Sequence, residues 1–222
     1  NEQIFNNGTE GNKILYFGSL SGLMPAGPGH SHQSIRDISL FNTIPNLHVI
    51  IPSSDEELEA LLDWAIYNNK KQCFFRLESF PIPKIKKFQN IQISPGKGNI
   101  LQEGNDLTII FHGPLMNFIA SNFASFYENE KSVKIQLISH PWCNLFDSDW
   151  YKHTLSKTNK VLLLDNSDGC WSSEIIVNLR EKAGYKDKIL RKYIIGIPPC
   201  GTYEEVTISQ GLDEKNLFNL IK

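Results

Sequence analysis

The segment Gly27-Pro-Gly-His-Ser-His-Gln-Ser34 concentrates the residue types that can move protons. His30 and His32, two residues apart, can act as general acid or base, or donate to a developing oxyanion. The glycines beside them let the backbone approach a ligand closely. The segment follows a strand-like run and precedes a helix-like one, which is where ligand crevices of open α/β sheets form. The same residues also fit a hydrated loop whose histidines bond to the backbone, and residue chemistry alone leaves both readings open. A metal site on His30 and His32 would need a third ligand, and no Asp, Glu or Cys stands nearby at ligand spacing, so none is expected.

Other polar clusters offer less. Arg76, at the end of a strand-like run, can pair an anion or close a salt bridge with Glu78 or Asp37. Asp165-Asn-Ser-Asp-Gly169 begins like a calcium loop but lacks the closing glutamate, and reads as a strand-to-helix turn capped by Asp and Ser. In His140-Pro-Trp-Cys-Asn144, the expected role of Trp142 is buried packing. Ser173 has no His/Asp pair close in sequence, which leaves a hydrolase triad unsupported. There is no GxxxxGK[ST] loop and no strand-linked GxGxxG, so a self-contained nucleotide site is not supported.

The elements that must position these residues alternate in type. Strand-like runs occur at 13–17, 47–52, 72–76, 107–111, 133–138, 160–164 and about 192–195. They are rich in Val, Ile and Leu without polar alternation, as expected for parallel strands covered on both faces. Helix-like stretches lie between them, at 34–42 (capped by Ser34), after Ser53-Ser54-Asp55-Glu56-Glu57, and at 115–127, 147–155, 171–182 and after Leu212. In the second of these, Leu58, Leu61, Leu62, Ala65 and Ile66 form the inner stripe, and the acidic start complements the helix dipole. The fold class is therefore α/β. An incomplete doubly wound parallel sheet unit is followed by a complete three-layer α/β/α C-terminal domain with a mostly parallel sheet. The first unit reads as incomplete because residues 1–12 hold no strand and too little apolar surface to cover a sheet. The boundaries are 1–80 for that partial unit, 81–97 for a Pro- and Lys-bearing linker, and 98–222 for the second domain.

Composition narrows the function classes. The chain has 222 residues, with 22 basic and 24 acidic side chains that nearly cancel, so the electrostatic footprint of a nucleic-acid binder is missing. No apolar stretch approaches the ~20 residues that span a bilayer, and no partnership with a membrane is expected. The cysteines at 73, 143, 170 and 200 form no CxxC pair and read as reduced, mostly buried thiols of a cytoplasmic protein.

The order of features resembles the transketolase family of thiamine-diphosphate enzymes. Residues 27–58, GPGHSHQSIRDISLFNTIPNLHVIIPSSDEEL, resemble that family's His-Gln loop, helix, strand and acidic helix start. Residues 96–123, GKGNILQEGNDLTIIFHGPLMNFIASNF, resemble the opening of its C-terminal domain. KVLLLDNSDGCWSSEIIVNL and the tail from Ile195 resemble later parts of that domain. The resemblance implies the second half of a pyrimidine-binding domain, then a whole C-terminal domain. It implies transfer of a ketol or acyl unit between carbonyl compounds, with thiamine diphosphate and Mg2+ in the complete enzyme and neither cofactor nor metal on this piece alone. Partners would be a missing N-terminal diphosphate-binding region or subunit and a small carbonyl substrate, in a homodimer or heterotetramer. His32 would be catalytic, hydrogen-bonding or transferring a proton to a developing alkoxide. His30, Ser31 and Arg76 would bind substrate, Arg76 standing near position 79, where the family's phosphate-gripping arginine falls. An alternative is a non-catalytic assembly subunit that keeps the fold and has lost the site.

Overall fold

The computed structural model describes residues 2–78, 88 and 91–222. The first unit begins with a helix not foreseen from sequence, α1 (Glu2–Glu10). Its Asn-rich composition and an interior Gly8 argue against helix by propensity alone. Tertiary contacts hold it instead, with Gln72 Nε2 donating to the Ile4 carbonyl. Three strands follow: β1 (Leu15–Gly18), β2 (Leu47–Ile50) and β3 (Gln72–Arg76). All are parallel, in the order β1-β3-β2. Helix α2 (Asp37–Phe41) lies on one face, and α3 (Asp55–Asp63) buries Leu61 against Ile50 and Phe75 on the other.

Two local expectations change. The short helix starts at Asp37 rather than Ser34, because the Ser34 carbonyl is taken by Gly22 N–H and by the Arg76 guanidinium. Past Asp63 the third helix widens into a π turn, Trp64–Asn68, and the added residue rotates the later side chains. Ile66 consequently faces solvent at 45 % exposure, while Trp64 packs edge-on against Trp142 with ring centroids 5.0 Å apart.

The second unit is a five-stranded sheet, ordered β4-β6-β5-β7-β8. Its strands are β4 (Asn99–Gln102), β5 (Leu107–Phe111), β6 (Ile135–Ser139), β7 (Lys160–Leu164) and β8 (Lys188–Lys192). β4 is antiparallel to β6 and the remaining pairs are parallel. The last strand ends where sequence placed its start: Ile194 turns into the core and donates its N–H to the Ser167 carbonyl. Helices α4 (Gly113–Lys131), α7 (Tyr203–Ser209) and α8 (Glu214–Ile221) cover one face. Helices α5 (Ser148–Thr154) and α6 (Cys170–Val177) cover the other. No helix among the described residues is long and apolar enough to cross a membrane. Cys73 and Cys143 are buried, Cys170 is half-buried and Cys200 exposed, all as thiols. The expected linker at 81–97 falls mostly outside the described residues.

The two units share a core. Val49, Ile51 and Phe74 of the first pack in one cluster with Ile110, Leu163 and Trp171 of the second. After β6 the chain runs along the outer edge of β2. Ile51 N–H donates to Pro141 O (2.7 Å) and Cys143 N–H to Val49 O (2.9 Å). Asn144 completes the seam, accepting from Val49 N–H and donating to Leu47 O. Trp142, 1 % exposed, is packed as expected, its indole N–H donating to Lys97 O.

Candidate functional site

The histidine segment is a protruding turn on a long loop between β1 and α2, and the loop is anchored before it protrudes. Leu23, Met24, Ala26 and Ile35 are buried in the core of the second unit, beside Leu115, Leu164 and Ile194. Burying each large side chain stabilises by ~1.5–3 kcal/mol, enough to fix the loop's path. The neck is closed by a bridge between Ser21 and Ser34, with Gly22 N–H donating to Ser34 O at 2.6 Å. Gly22 is required there. Its φ is +84°, and a Cβ would collide with the Asn166 amide.

Between these anchors, Gly27, Pro28, His30, Ser31 and His32 are exposed, and residues His30–His32 form a single 3-10 turn. His32 N–H donates to Gly29 O at 2.9 Å. The Ser31 hydroxyl lies 3.0 Å from His32 Nδ1. Engaging Nδ1 in this way leaves Nε2 as the ring nitrogen open to a reactant. Gln33, the next residue, is buried and donates from Nε2 to Leu23 O and Pro199 O, tying the turn to the segment after β8.

Arg76 is placed differently from an anion-binding arginine. Its guanidinium is 0 % exposed. Nε donates to Asp37 Oδ2 (2.8 Å), and one amino group donates to both Ser34 O (3.0 Å) and Asn166 O (2.8 Å). Glu78 Oε1 stands 3.7 Å from the other. Both salt-bridge partners named from sequence are therefore present. Burial pushes the Glu78 carboxyl up, opposed by the Arg76 charge and by hydrogen bonds from Asn166 and Leu115.

Next to this cluster, at the carboxyl ends of β5 and β7, His112 and Asp165 form a wholly buried pair with Nε2 3.0 Å from Oδ1. Burial lowers the His112 pKa, so the imidazole is neutral and donates to Asp165. Burial pushes Asp165 up, but His112, the Ser167 hydroxyl and the Ser172 N–H outweigh it and keep the carboxylate ionised. Asp165 thus ties the Asp-Asn-Ser-Asp-Gly turn to the start of α6, and Asp168 accepts from Cys170 N–H, so the expected Asp caps are present, whereas the Ser167 hydroxyl donates to Asp165 instead of capping. Ser173 is engaged by Gly169 O and Arg191.

Sequence reading missed Asn166, His112 and Glu57 as organising residues. Nothing local marks them: Asn166 and Glu57 act across the seam between units, and His112 pairs with the distant Asp165 inside the second unit. Glu57 is fully buried, not a solvated dipole partner. It accepts from Ser53 N–H (2.7 Å), Asn99 Nδ2 (2.7 Å) and the Ser139 hydroxyl (3.0 Å), and burial raises its pKa to about 7 against these hydrogen bonds and the Ser53 hydroxyl. A small crevice of about 240 Å³ opens at the strand ends, lined by Ser19, Pro52, Ser54, Asp55, Leu58, Leu77, Glu78 and Pro114. Among the described residues that line it, the polar groups are hydroxyls and carboxyls, with no cation. Among the described residues no group of three or more His, Cys, Asp or Glu is arranged to hold a metal ion.

Comparison with known proteins places this geometry. Residues 1–79 match the transketolase pyrimidine binding domain, and residues 96–217 match the transketolase C-terminal domain. The 1-deoxy-D-xylulose-5-phosphate synthase of Brevibacillus brevis is 22% identical over 188 residues, covering 83% of this chain and 29% of that protein. An apulose-4-phosphate transketolase subunit of Phocaeicola vulgatus is 20% identical, covering 93% and 65%. The beta chain of the mitochondrial 2-oxoisovalerate dehydrogenase of Dictyostelium discoideum is 29% identical, covering 74% and 46%. Among solved structures, an inactive beta4 tetramer of a split gene transketolase superposes with a TM-score of 0.75 at 20% identity, over 94% of this chain and 65% of its own. The chain spans less than two thirds of the length of each of these proteins. With both domain types found in order along a shared core, the chain belongs to the transketolase family of thiamine-diphosphate enzymes.

Proposed function

We propose that this chain is the pyrimidine-side and C-terminal portion of a thiamine-diphosphate-dependent enzyme that transfers a ketol or acyl unit between small carbonyl compounds. The observation that carries the reading is the His30–His32 turn, exposed between two buried anchors with His32 Nδ1 held by Ser31. His32 Nε2 donates a hydrogen bond, then a proton, to the substrate oxygen that becomes the alkoxide. His30 and Ser31, exposed on the same turn, bind the substrate's hydroxyl or carbonyl oxygens. Arg76 contributes by holding the loop rather than by gripping substrate.

The thiamine cofactor and its Mg2+ would supply the carbanion chemistry. The carboxyl-lined crevice at the strand ends does not fit a diphosphate, so that end of the cofactor belongs to a separate diphosphate-binding region or subunit. Relatives that are themselves named as enzyme subunits support such an assembly, a homodimer or heterotetramer. The four free thiols suit a reducing compartment such as the cytoplasm. The lack of a cation among the described residues that line the crevice favours a less anionic substrate than a sugar phosphate.

The same carboxyl-lined crevice also favours a second reading, a non-catalytic assembly subunit. Calorimetric titration of the full-length protein, in its assembly, with thiamine diphosphate and Mg2+ separates the two. Heat of binding is expected for the enzyme, and none at about millimolar cofactor supports the assembly subunit. In the active assembly, His32→Ala is expected to lower turnover at least about tenfold, a floor set below the ~10²–10⁴-fold that acid/base catalysis typically contributes. Unchanged turnover would reduce His32 to a loop residue.

A further inference from the structure

Both ends of the histidine loop meet one residue of the second unit. Asn166, wholly buried after β7, accepts from Leu23 N–H through Oδ1 at 2.9 Å, fixing the entry of the loop. Its backbone carbonyl accepts from Arg76 at 2.8 Å, and the same guanidinium nitrogen donates to Ser34 O, fixing the exit. Its Nδ2 donates to Glu78 Oε1 at 2.7 Å, which sets the amide's orientation. Glu78 is steadied in turn by Leu115 N–H at the start of α4. Gly22 leaves room for the amide, since a Cβ there would strike it. The Asn166 N–H lies 3.3 Å from His112 Nε2, beside the buried His112–Asp165 pair.

We infer that Asn166 is a positioning residue: through Leu23, and through Arg76 on Ser34, it fixes the His30–His32 turn relative to the second unit. The inference rests on the proposed role of that turn, and goes beyond it by naming what sets its geometry. The orientation of the amide is decisive, because Oδ1 must face Leu23 N–H and Nδ2 must face Glu78. A buried amide with a single satisfied orientation transmits position, whereas an apolar contact would tolerate sliding.

Asn166→Asp is nearly isosteric and keeps the acceptor for Leu23, but it sets a carboxylate against the Glu78 carboxyl. Adding Glu78→Gln restores the lost bond with its polarity reversed. The introduced glutamine donates from Nε2 to the new carboxylate, while its Oε1 still accepts from Leu115. Hydrogen exchange in the full protein reads the loop without reference to catalysis. In N166D, exchange across residues 21–34 is expected to rise at least about tenfold while amides of β7 stay protected, and N166D/E78Q is expected to return to within about threefold of the parent. Unchanged loop exchange in N166D, an equal rise throughout β7, or failure of the double variant to restore protection overturns the inference. If N166D does not fold, the double variant carries the test: a folded chain with a protected loop supports the assignment, and an unfolded one overturns it. Turnover in the active assembly reports separately on the catalytic reading. Loop exchange that responds while turnover does not would sink the role of His32 and leave Asn166 as the loop's anchor.

Discussion

Glu57→Gln should change how stability depends on pH, and the structure supplies the size. The Glu57 carboxyl is fully buried, its hydrogen bonds come from neutral donors, and its pKa in the folded protein is about 7, against an ordinary 4.5. A folded pKa above the unfolded one means the native state keeps a proton that the unfolded chain has released. The resulting stability is full below pH 4.5 and is lost as pH rises through 7. The difference of about 2.5, at 1.36 kcal/mol per pH unit, makes the whole effect about 3 kcal/mol, of which about 2.5 kcal/mol falls between about pH 5 and pH 8. Glutamine cannot ionise, and its amide fits the site. The oxygen keeps the Ser53 N–H, and its NH2 meets an Asn99 amide turned to accept. Urea unfolding of parent and variant at matched pH values, from about 5 to 8, measures the difference directly. His48 and His140 titrate in both proteins and cancel in it. Glu57→Gln is expected to gain on the parent by about 2.5 kcal/mol across that range. A difference that stays flat with pH would show that Glu57 titrates normally when folded, and would refute the claim that burial governs it.

Other consequences are open to measurement. His48, buried beside Trp64, has its pKa lowered to about 4 by burial and by Lys71. A base depressed on folding contributes stability above its unfolded value of 6.5 that is lost as pH falls toward 4, so His48→Gln should flatten the acid side of the stability curve. An unchanged acid side in urea unfolding would contradict this. Gly113 opens α4 at a φ of +76° with Glu78 against it. Gly113→Ala should cost about 1–3 kcal/mol through strain and a displaced Glu78, read as a lowered urea midpoint.

The α/β class, the parallel strands and six of the eight α-helices of the described residues could be read from the alternation of Val/Ile/Leu runs with capped amphipathic stretches, because those signals are local. Ser54 shows this well: its hydroxyl accepts from Glu57 N–H, as the acidic helix start predicts. Most failures share one cause, long-range contact overriding local preference; the exceptions are β4 and α7, the latter opened by a local Thr202–Glu205 capping box that the sequence reading passed over. Ser34 lost its capping role to Arg76 and Gly22. Residues 2–10 became helical through contacts such as that with Gln72, against weak propensity. Glu57 was drawn inward by Asn99 and Ser139, more than forty positions away. In the candidate site, His30, Ser31 and His32 were recognisable from residue type and from their place after a strand. The Asn166 and Arg76 contacts beneath them were not, since hydrogen bonds to backbone carbonyls leave no pattern in the side chains that receive them.

The strip from Pro141 to Asn144, laid along β2, bears on how the molecule comes apart. It gives the outermost strand of one sheet to a stretch that belongs to the other, so neither unit presents a finished border by itself. Free energy is pooled across that join, and heat or denaturant should dissolve both halves in a single transition. The two domain families meet in the sequence as separate modules. In energy they should behave as one.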